Sequence, residues 1–235
     1  MRLVVEIITI LVFVCYSATS APTRMSKANQ SDIRVVPVSE VPFYQLLSYF
    51  TADVQSSDPK VRELDIPAFL FYTHSYHAWL QANQTMSLVA LNMEENTIVG
   101  ANMVIDLSRL PTMYAPGIIK KVLDFVIPCY KSAKSENTTD DLVYVSTLRA
   151  ANTTEVEARL ILDTRNTFLK SAPPKSFHMV WSYSNQTNKQ LEKLGYTNVS
   201  CKNSGMTNGF CDWSKLELHG NWEKDQCLYR LFKTF

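Results

Sequence analysis

The sequence predicts an α/β protein, a single domain with a central mixed β-sheet of about six or seven strands flanked by helices. Three observations predict it. Between Leu142 and Tyr196, short apolar and aromatic runs alternate with helically spaced apolar residues, giving strand, helix, strand, helix. Between Met86 and Ser108, two apolar runs with Met93-Glu94-Glu95-Asn96 turning between them form a hairpin. At 235 residues and 46% hydrophobic content the chain can bury a full core, most simply as one domain.

The 142–196 unit carries most of the information. Leu142-Val143-Tyr144-Val145 reads as a strand, Arg149 to Glu157 as a loop and Ala158 to Lys170 as a helix. Leu160, Ile161, Thr164, Phe168 and Leu169 line one face of that helix. Phe177 to Trp181 is a second strand, and a second helix ends at Lys193-Leu194-Gly195-Tyr196. A strand, helix, strand series joined this way is a right-handed crossover between parallel strands. Open α/β sheets bind ligands at the carboxyl ends of such strands, beside helix N-termini, so the Arg149–Glu157 loop is where function is expected.

The remaining elements follow in order. Ile33 to Val38 is a first strand, and Ser39 is placed to cap a helix that buries Phe43, Leu46, Leu47 and Phe50. Thr51 to Leu64 is polar and carries Asp58-Pro59, which marks a loop or broken helix. Pro67 opens an aromatic helix with Phe69, Tyr72, Tyr76 and Trp79. Ser87–Leu91 and Ile98–Ile105 are the hairpin strands. Pro116 to Lys134 is an apolar helix that Pro128 is expected to kink or end early. Val199 to Glu217 is loop-rich, and Cys227 to Phe232 is a closing strand. The order is β-α-α-β-β-α-β-α-β-α-β-β.

The N-terminus reads as a signal peptide over residues 1–20. Arg2 precedes an apolar run from Ile7 to Tyr16, and Ser17-Ala18-Thr19-Ser20-Ala21 supplies small residues for cleavage after Ser20. The run is too short to span a bilayer, and no later stretch is apolar enough, so secretion with no membrane attachment after cleavage is expected. Residues 21–31 are polar and expected to be disordered, leaving 32–235 as the domain. Sequons at Asn29, Asn83, Asn137, Asn152, Asn185 and Asn198 agree with export. Of the 5 cysteines, Cys15 leaves with the signal. Cys129, Cys201, Cys211 and Cys227 remain as an even set, which allows three pairings. The pairing expected here is Cys201 with Cys211 and Cys129 with Cys227. No Cys/His cluster suggests a metal site. A net charge of +1 and the lack of basic patches with interleaved aromatics exclude a nucleic-acid partner.

The order of elements, the hairpin Ser87-Leu88-Val89-Ala90-Leu91 with Ile98-Val99-Gly100, and the ending Leu191-Glu192-Lys193-Leu194-Gly195-Tyr196 together resemble the GNAT N-acetyltransferase superfamily. Within it the chain is most similar to the invertebrate arylalkylamine N-acetyltransferase-like branch, over roughly Ile33 to Tyr196. Glycine at that ending is a helix C-cap, and the aromatic after it packs back into the core. The resemblance implies acetyl-CoA bound where one strand splays from its neighbour, and acyl transfer to an amine. It also implies a loop of pattern Arg/Gln-x-x-Gly-x-Gly/Ala that holds the pyrophosphate through backbone N–H groups.

Thr147, Arg149, Ala150 and Asn152 fall at the acyl-CoA loop position, and there the sequence departs from the pattern. Counted back from Leu160-Ile161, Asn152 replaces the basic residue, while Glu155 and Glu157 replace the glycines. Carboxylates repel a diphosphate, and a glycan on Asn152 would stand in its path. A second register makes Arg149 the basic residue, with Ala150 and Ala151 as small stand-ins, at the cost of an insertion before the helix. As plain helix residues, Glu155 and Glu157 complement the dipole of a first turn and need no ligand.

The resemblance also places a general-acid tyrosine at the position of Leu191, which cannot donate a proton, with Ser182 or Ser184 as the branch's alternative. Asp58, before Pro59, matches the region of the branch's general base, with Asp53 as the looser choice. Asp58 otherwise reads as a turn residue. His74 and His77, three apart on the aromatic helix, and His178 in a strand read as packed or surface residues. Tyr72, Tyr76 and Trp79 belong to the core or line an amine-side pocket.

Two functions follow. The first is a secreted glycoprotein with a GNAT fold and no acyl-CoA cofactor, binding a small molecule or protein or serving a structural role. The second is an acetyl-CoA-dependent N-acyltransferase acting on a small amine in the secretory lumen or outside the cell. Fold alone does not choose between them.

Overall fold

The computed structural model describes residues 32–50, 67–112, 117–133, 142–150, 154–182, 185–201, 211 and 227–234. From Asp32 onward the chain is one compact unit. Seven strands make one mixed sheet in the order β1-β2-β3-β4-β5-β7-β6. They are β1 Ile33–Pro37, β2 Leu88–Asn92, β3 Thr97–Asp106, β4 Leu142–Ala150, β5 Ser176–Ser182, β6 Thr197–Cys201 and β7 Cys227–Lys233. The helices are α1 Phe43–Ser48, α2 Ala68–Gln81, α3 Gly117–Ser132, α4 Thr154–Ser171 and α5 Asn185–Lys193. Only β4 and β5 pair in parallel, across the crossover helix α4; every other neighbouring pair is antiparallel.

Alternation along the strands decides which helices cover which face. Val89, Ala101 and Met103 meet Leu46, Phe50 and Trp79 of the α1–α2 side. On the same face, Val143, Val145, Met179, Trp181 and Leu228 pack on Phe125, Cys129 and Tyr130 of the α3 segment. The opposite face carries α4 and α5: Leu88 and Ala90 meet Val156 and Leu160, while Tyr144, Val180 and Tyr229 meet Ile161, Phe168 and Leu191. The helical face expected from spacing is the buried one, with Leu160, Ile161, Thr164 and Phe168 at 2% exposure or less.

Helix α5 ends as the Lys-Leu-Gly-Tyr sequence predicts. Gly195 sits at φ +84°. Its N–H donates to Glu192 O at 3.0 Å, and the Tyr196 N–H donates to Leu191 O at 3.0 Å. That pair of bonds is a Schellman cap, and Tyr196 and Leu191 complete it with a buried apolar contact.

Several expectations are corrected. β4 runs on to Ala150 and α4 begins at Thr154, so Arg149, Ala150 and 154–157 of the expected nine-residue loop are strand or helix, and 151–153 lie outside the described residues. Pairing with β3 as far as Gly100 opposite Ala150 keeps this polar stretch extended. Pro128 lies inside α3 and does not end it; the residue is exposed, where water can take the carbonyl that proline leaves unpaired. Ser39 belongs to a 3₁₀ turn, and α1 starts after Pro42 with no side-chain cap. Val199 to Cys201, expected to open a loop, belong to strand β6; of the rest of that expected loop only Cys211 is among the described residues. The disulfide pairing also differs. Cys201 is bonded to Cys227, directly opposite it in the β6–β7 register, while Cys129 and Cys211 are thiols.

Candidate functional site

The sheet opens between its two parallel strands. β4 and β5 pair from Leu142 opposite Ser176 to Ser146 opposite Val180. Beyond that point β4 follows β3 through Thr147, Leu148, Arg149 and Ala150, while β5 follows β7 through Trp181 and Ser182. Each strand is held by its outer neighbour, so the two part at their carboxyl ends. This is the cleft position that the topology of open α/β sheets predicts.

The two helices on the α4–α5 face bring their N-termini to the same end. The Thr187 hydroxyl, in the first turn of α5, donates to Glu157 Oε1 at 2.6 Å, in the first turn of α4. Further along, Arg165 Nε of α4 donates to Leu194 O, just past the end of α5, at 2.7 Å. Contacts at both ends make α4 and α5 run side by side in one direction. Glu155 is exposed and Glu157 is half-buried, so the N-terminus of α4 carries two carboxylates of its own. Near a helix N-terminus such charges are favourable.

Below the cleft lies a buried polar chain that sequence reading did not find. Ser146 Oγ is 2.6 Å from His178 Nε2, and His178 Nδ1 is 2.7 Å from the Tyr196 hydroxyl. A neutral imidazole has one donor and one acceptor nitrogen, so one hydroxyl donates to the ring while the other accepts from it. Burial alone lowers the His178 pKa to about 3. Burial also raises the Tyr196 phenol, so it stays protonated. The signal was faint: Tyr144 and Ser146 share a strand face with His178 only once the parallel register is known.

The expected site residues separate. Ser182 is buried at the end of β5, opposite Cys227. Thr147, Arg149 and Ala150 belong to the final stretch of β4 rather than to a loop. Leu191, where the resemblance would place a general acid, is fully buried in the α5 core. Asp58, Ser184 and Asn152 lie outside the described residues, as do the sequons at Asn29 and Asn137. Asn83 Oδ1 accepts from the Thr85 and Met86 N–H groups. Asn185 is exposed at the start of α5, and exposed Asn198 on β6 donates to Cys201 Sγ at 2.8 Å. On the opposite face Phe43 packs on Trp79 and Tyr76, with centroids 4.6 and 5.1 Å away. No three His, Cys, Asp or Glu side chains converge among the described residues. No helix among them is long and apolar enough to cross a membrane.

No protein-family model and no curated protein matches the sequence. Solved structures do match in fold. A putative arylalkylamine N-acetyltransferase 7 from the yellow fever mosquito Aedes aegypti superposes with a TM-score of 0.61 at 13% identity, covering 85% of this chain and 86% of that one. The C-terminal condensation domain of Ebony, solved with β-alanyl-dopamine, gives 0.59 at 11% identity over 85% and 98%. The Drosophila melanogaster polyamine N-acetyltransferase gives 0.55 at 16% identity over 86% and 100%. The chain has the GNAT fold.

Proposed function

We propose that this GNAT-fold chain is a secreted glycoprotein that has lost acyl-CoA-dependent catalysis and acts as a binding or structural protein. The observation that carries the reading is the Glu157 carboxylate, bonded to Thr187 between the N-termini of α4 and α5. At about 4 Å and an effective dielectric of about 20, two like charges repel by about 4 kcal/mol. A helix N-terminus offers an anion only roughly 0.3–2 kcal/mol. A diphosphate brought to this end of α4 would therefore lose more to Glu157 than the helix returns, and these residues do not fit it. The signal-like N-terminus, the sequons and the Cys201–Cys227 disulfide support export. The balanced charge argues against a nucleic-acid partner. The partner of this reading is a small molecule or a protein.

A second reading, an acetyl-CoA-dependent N-acyltransferase acting on a small amine, draws on the parting of β4 from β5. It draws also on fold neighbours whose names specify arylalkylamine and polyamine acetyl transfer.

A thermal-shift titration of the mature protein with acetyl-CoA, before and after deglycosylation, separates the two. Ligand that binds the native state must raise Tm once it exceeds its Kd. No rise at sub-millimolar acetyl-CoA in either form is expected. A clear rise would overturn the non-catalytic reading and direct attention to amine substrates.

A further inference from the structure

We propose that Cys129 and Cys211 form a second disulfide, which fastens the connection between β6 and β7 to helix α3. Cys129 is buried in the last turns of α3, among Val145, Met179, Trp181 and Leu228. Cys211 lies between β6 and β7 in sequence and packs against the same cluster. The Cys129 and Ser200 side chains are the neighbours that act on the Cys211 thiol. Packing in one cluster is what brings two cysteines far apart in sequence within reach of a bridge.

Among the described residues, these two are the cysteines outside a disulfide. Cys201 and Cys227 are already joined. No third metal-binding side chain stands with the pair among the described residues, so a thiolate metal site has no support. The hydrogen bond from Cys129 lowers the Cys211 pKa, against an opposing effect of burial and with further help from Ser200. Cys211, half-buried beside fully buried Cys129, is thus the thiol that attacks first.

The oxidant is a small or protein disulfide of the glutathione class. Cys211 thiolate attacks one of its sulfurs, forming a mixed disulfide and expelling one thiolate. Cys129 thiolate then attacks Cys211 Sγ, forming the Cys129–Cys211 bond and expelling the second thiolate. The two cysteines lose two electrons together, and the oxidant takes them. The two cysteine protons end on the two released thiols.

The proposal stands whether or not the chain binds acyl-CoA. The full-length protein is equilibrated in an oxidised/reduced glutathione buffer, unfolded in the presence of N-ethylmaleimide, and digested without reduction. The expected result is a peptide pair linked through Cys129 and Cys211 beside the Cys201–Cys227 pair, with neither Cys129 nor Cys211 alkylated. Maleimide on both Cys129 and Cys211, with Cys201–Cys227 linked, would overturn it. So would the alternative pairs Cys201–Cys211 and Cys129–Cys227. As a second readout, the oxidised Cys129→Ser/Cys211→Ser double variant is expected to melt roughly 5–15 °C below the oxidised wild type. An unchanged Tm would count against a bridge that holds the fold.

Discussion

Glu157 and Thr187 join the two helices that flank the cleft: the Thr187 hydroxyl donates to the Glu157 carboxylate at 2.6 Å, one first helical turn to another. Arg165 makes the matching contact at the far end through Leu194 O. The protein thus fills with its own negative charge a position that helix geometry otherwise makes attractive to an external anion.

Removing that charge tests its role. Glu157→Gln keeps an acceptor for Thr187 but loses the helix-dipole term, so a loss of about 0.3–1 kcal/mol is expected. For a domain of this size that lowers Tm by roughly 1–4 °C. Glu157→Ala also loses a hydrogen bond to a charged group, and a total of about 2–3 kcal/mol is expected. Urea denaturation of both variants measures the difference. If the two are equally stable, the Thr187 bond contributes nothing.

The same contact sits in a sequon. Thr187 is the hydroxyl residue of Asn185-Gln186-Thr187, so Thr187→Val removes the glycan acceptor at Asn185 together with the Glu157 bond. Thr187→Ser keeps both, and Asn185→Gln removes only the acceptor. Intact mass of protein from a secretory host is expected to fall for Thr187→Val and Asn185→Gln alike. Only Thr187→Val is expected to lose about 1–3 kcal/mol of stability as well. Equal masses for wild type and Asn185→Gln would mean the site carries no glycan.

Much of the fold was legible because its signals are local. β2, β3 and β5 are built around short apolar runs, and Leu194-Gly195-Tyr196 announces the cap of α5. The end of β4 was not legible: Ser146, Thr147 and Arg149 are polar, and only pairing with β3 makes them a strand. β6 is equally polar, as Thr197-Asn198-Val199-Ser200. The Cys201–Cys227 bridge and the Ser146–His178–Tyr196 chain depend on registers between distant strands, which periodicity within one strand does not contain. The candidate site was legible in position, at the carboxyl end of β4. Its content was not, because the Thr187 partner of Glu157 comes from another helix.

Gly195 shows how far the cap of α5 depends on backbone conformation. A Cβ there would meet no atom within 4 Å, so Gly195→Ala adds no clash and tests backbone conformation alone. An L-residue at φ +84° is strained by roughly 1–2 kcal/mol. A Tm lower by roughly 2–8 °C is expected, with the far-UV spectrum unchanged. Gly195→Asn, which tolerates the left-handed region better, should lose less.

His178 gives the fold a pH dependence of definite sign. Its pKa is lowered to about 3 by burial, so in the native state it remains neutral through mildly acidic pH. In the unfolded chain it takes up a proton near its ordinary value of about 6.5. The unfolded state therefore binds more protons between these limits, and stability falls as pH drops from about 6.5 towards about 3. The slope from this one group approaches about 1.4 kcal/mol per pH unit below about pH 6.5, or roughly 2 kcal/mol between about pH 6.5 and about pH 4.5. His178→Gln retains a donor and an acceptor for Ser146 and Tyr196 but does not titrate. Denaturation of both proteins across that window should show wild type the more stable at about pH 7, with the gap narrowing steadily as pH falls. Parallel curves would mean that His178 is protonated in the folded protein and that the buried chain is assembled differently.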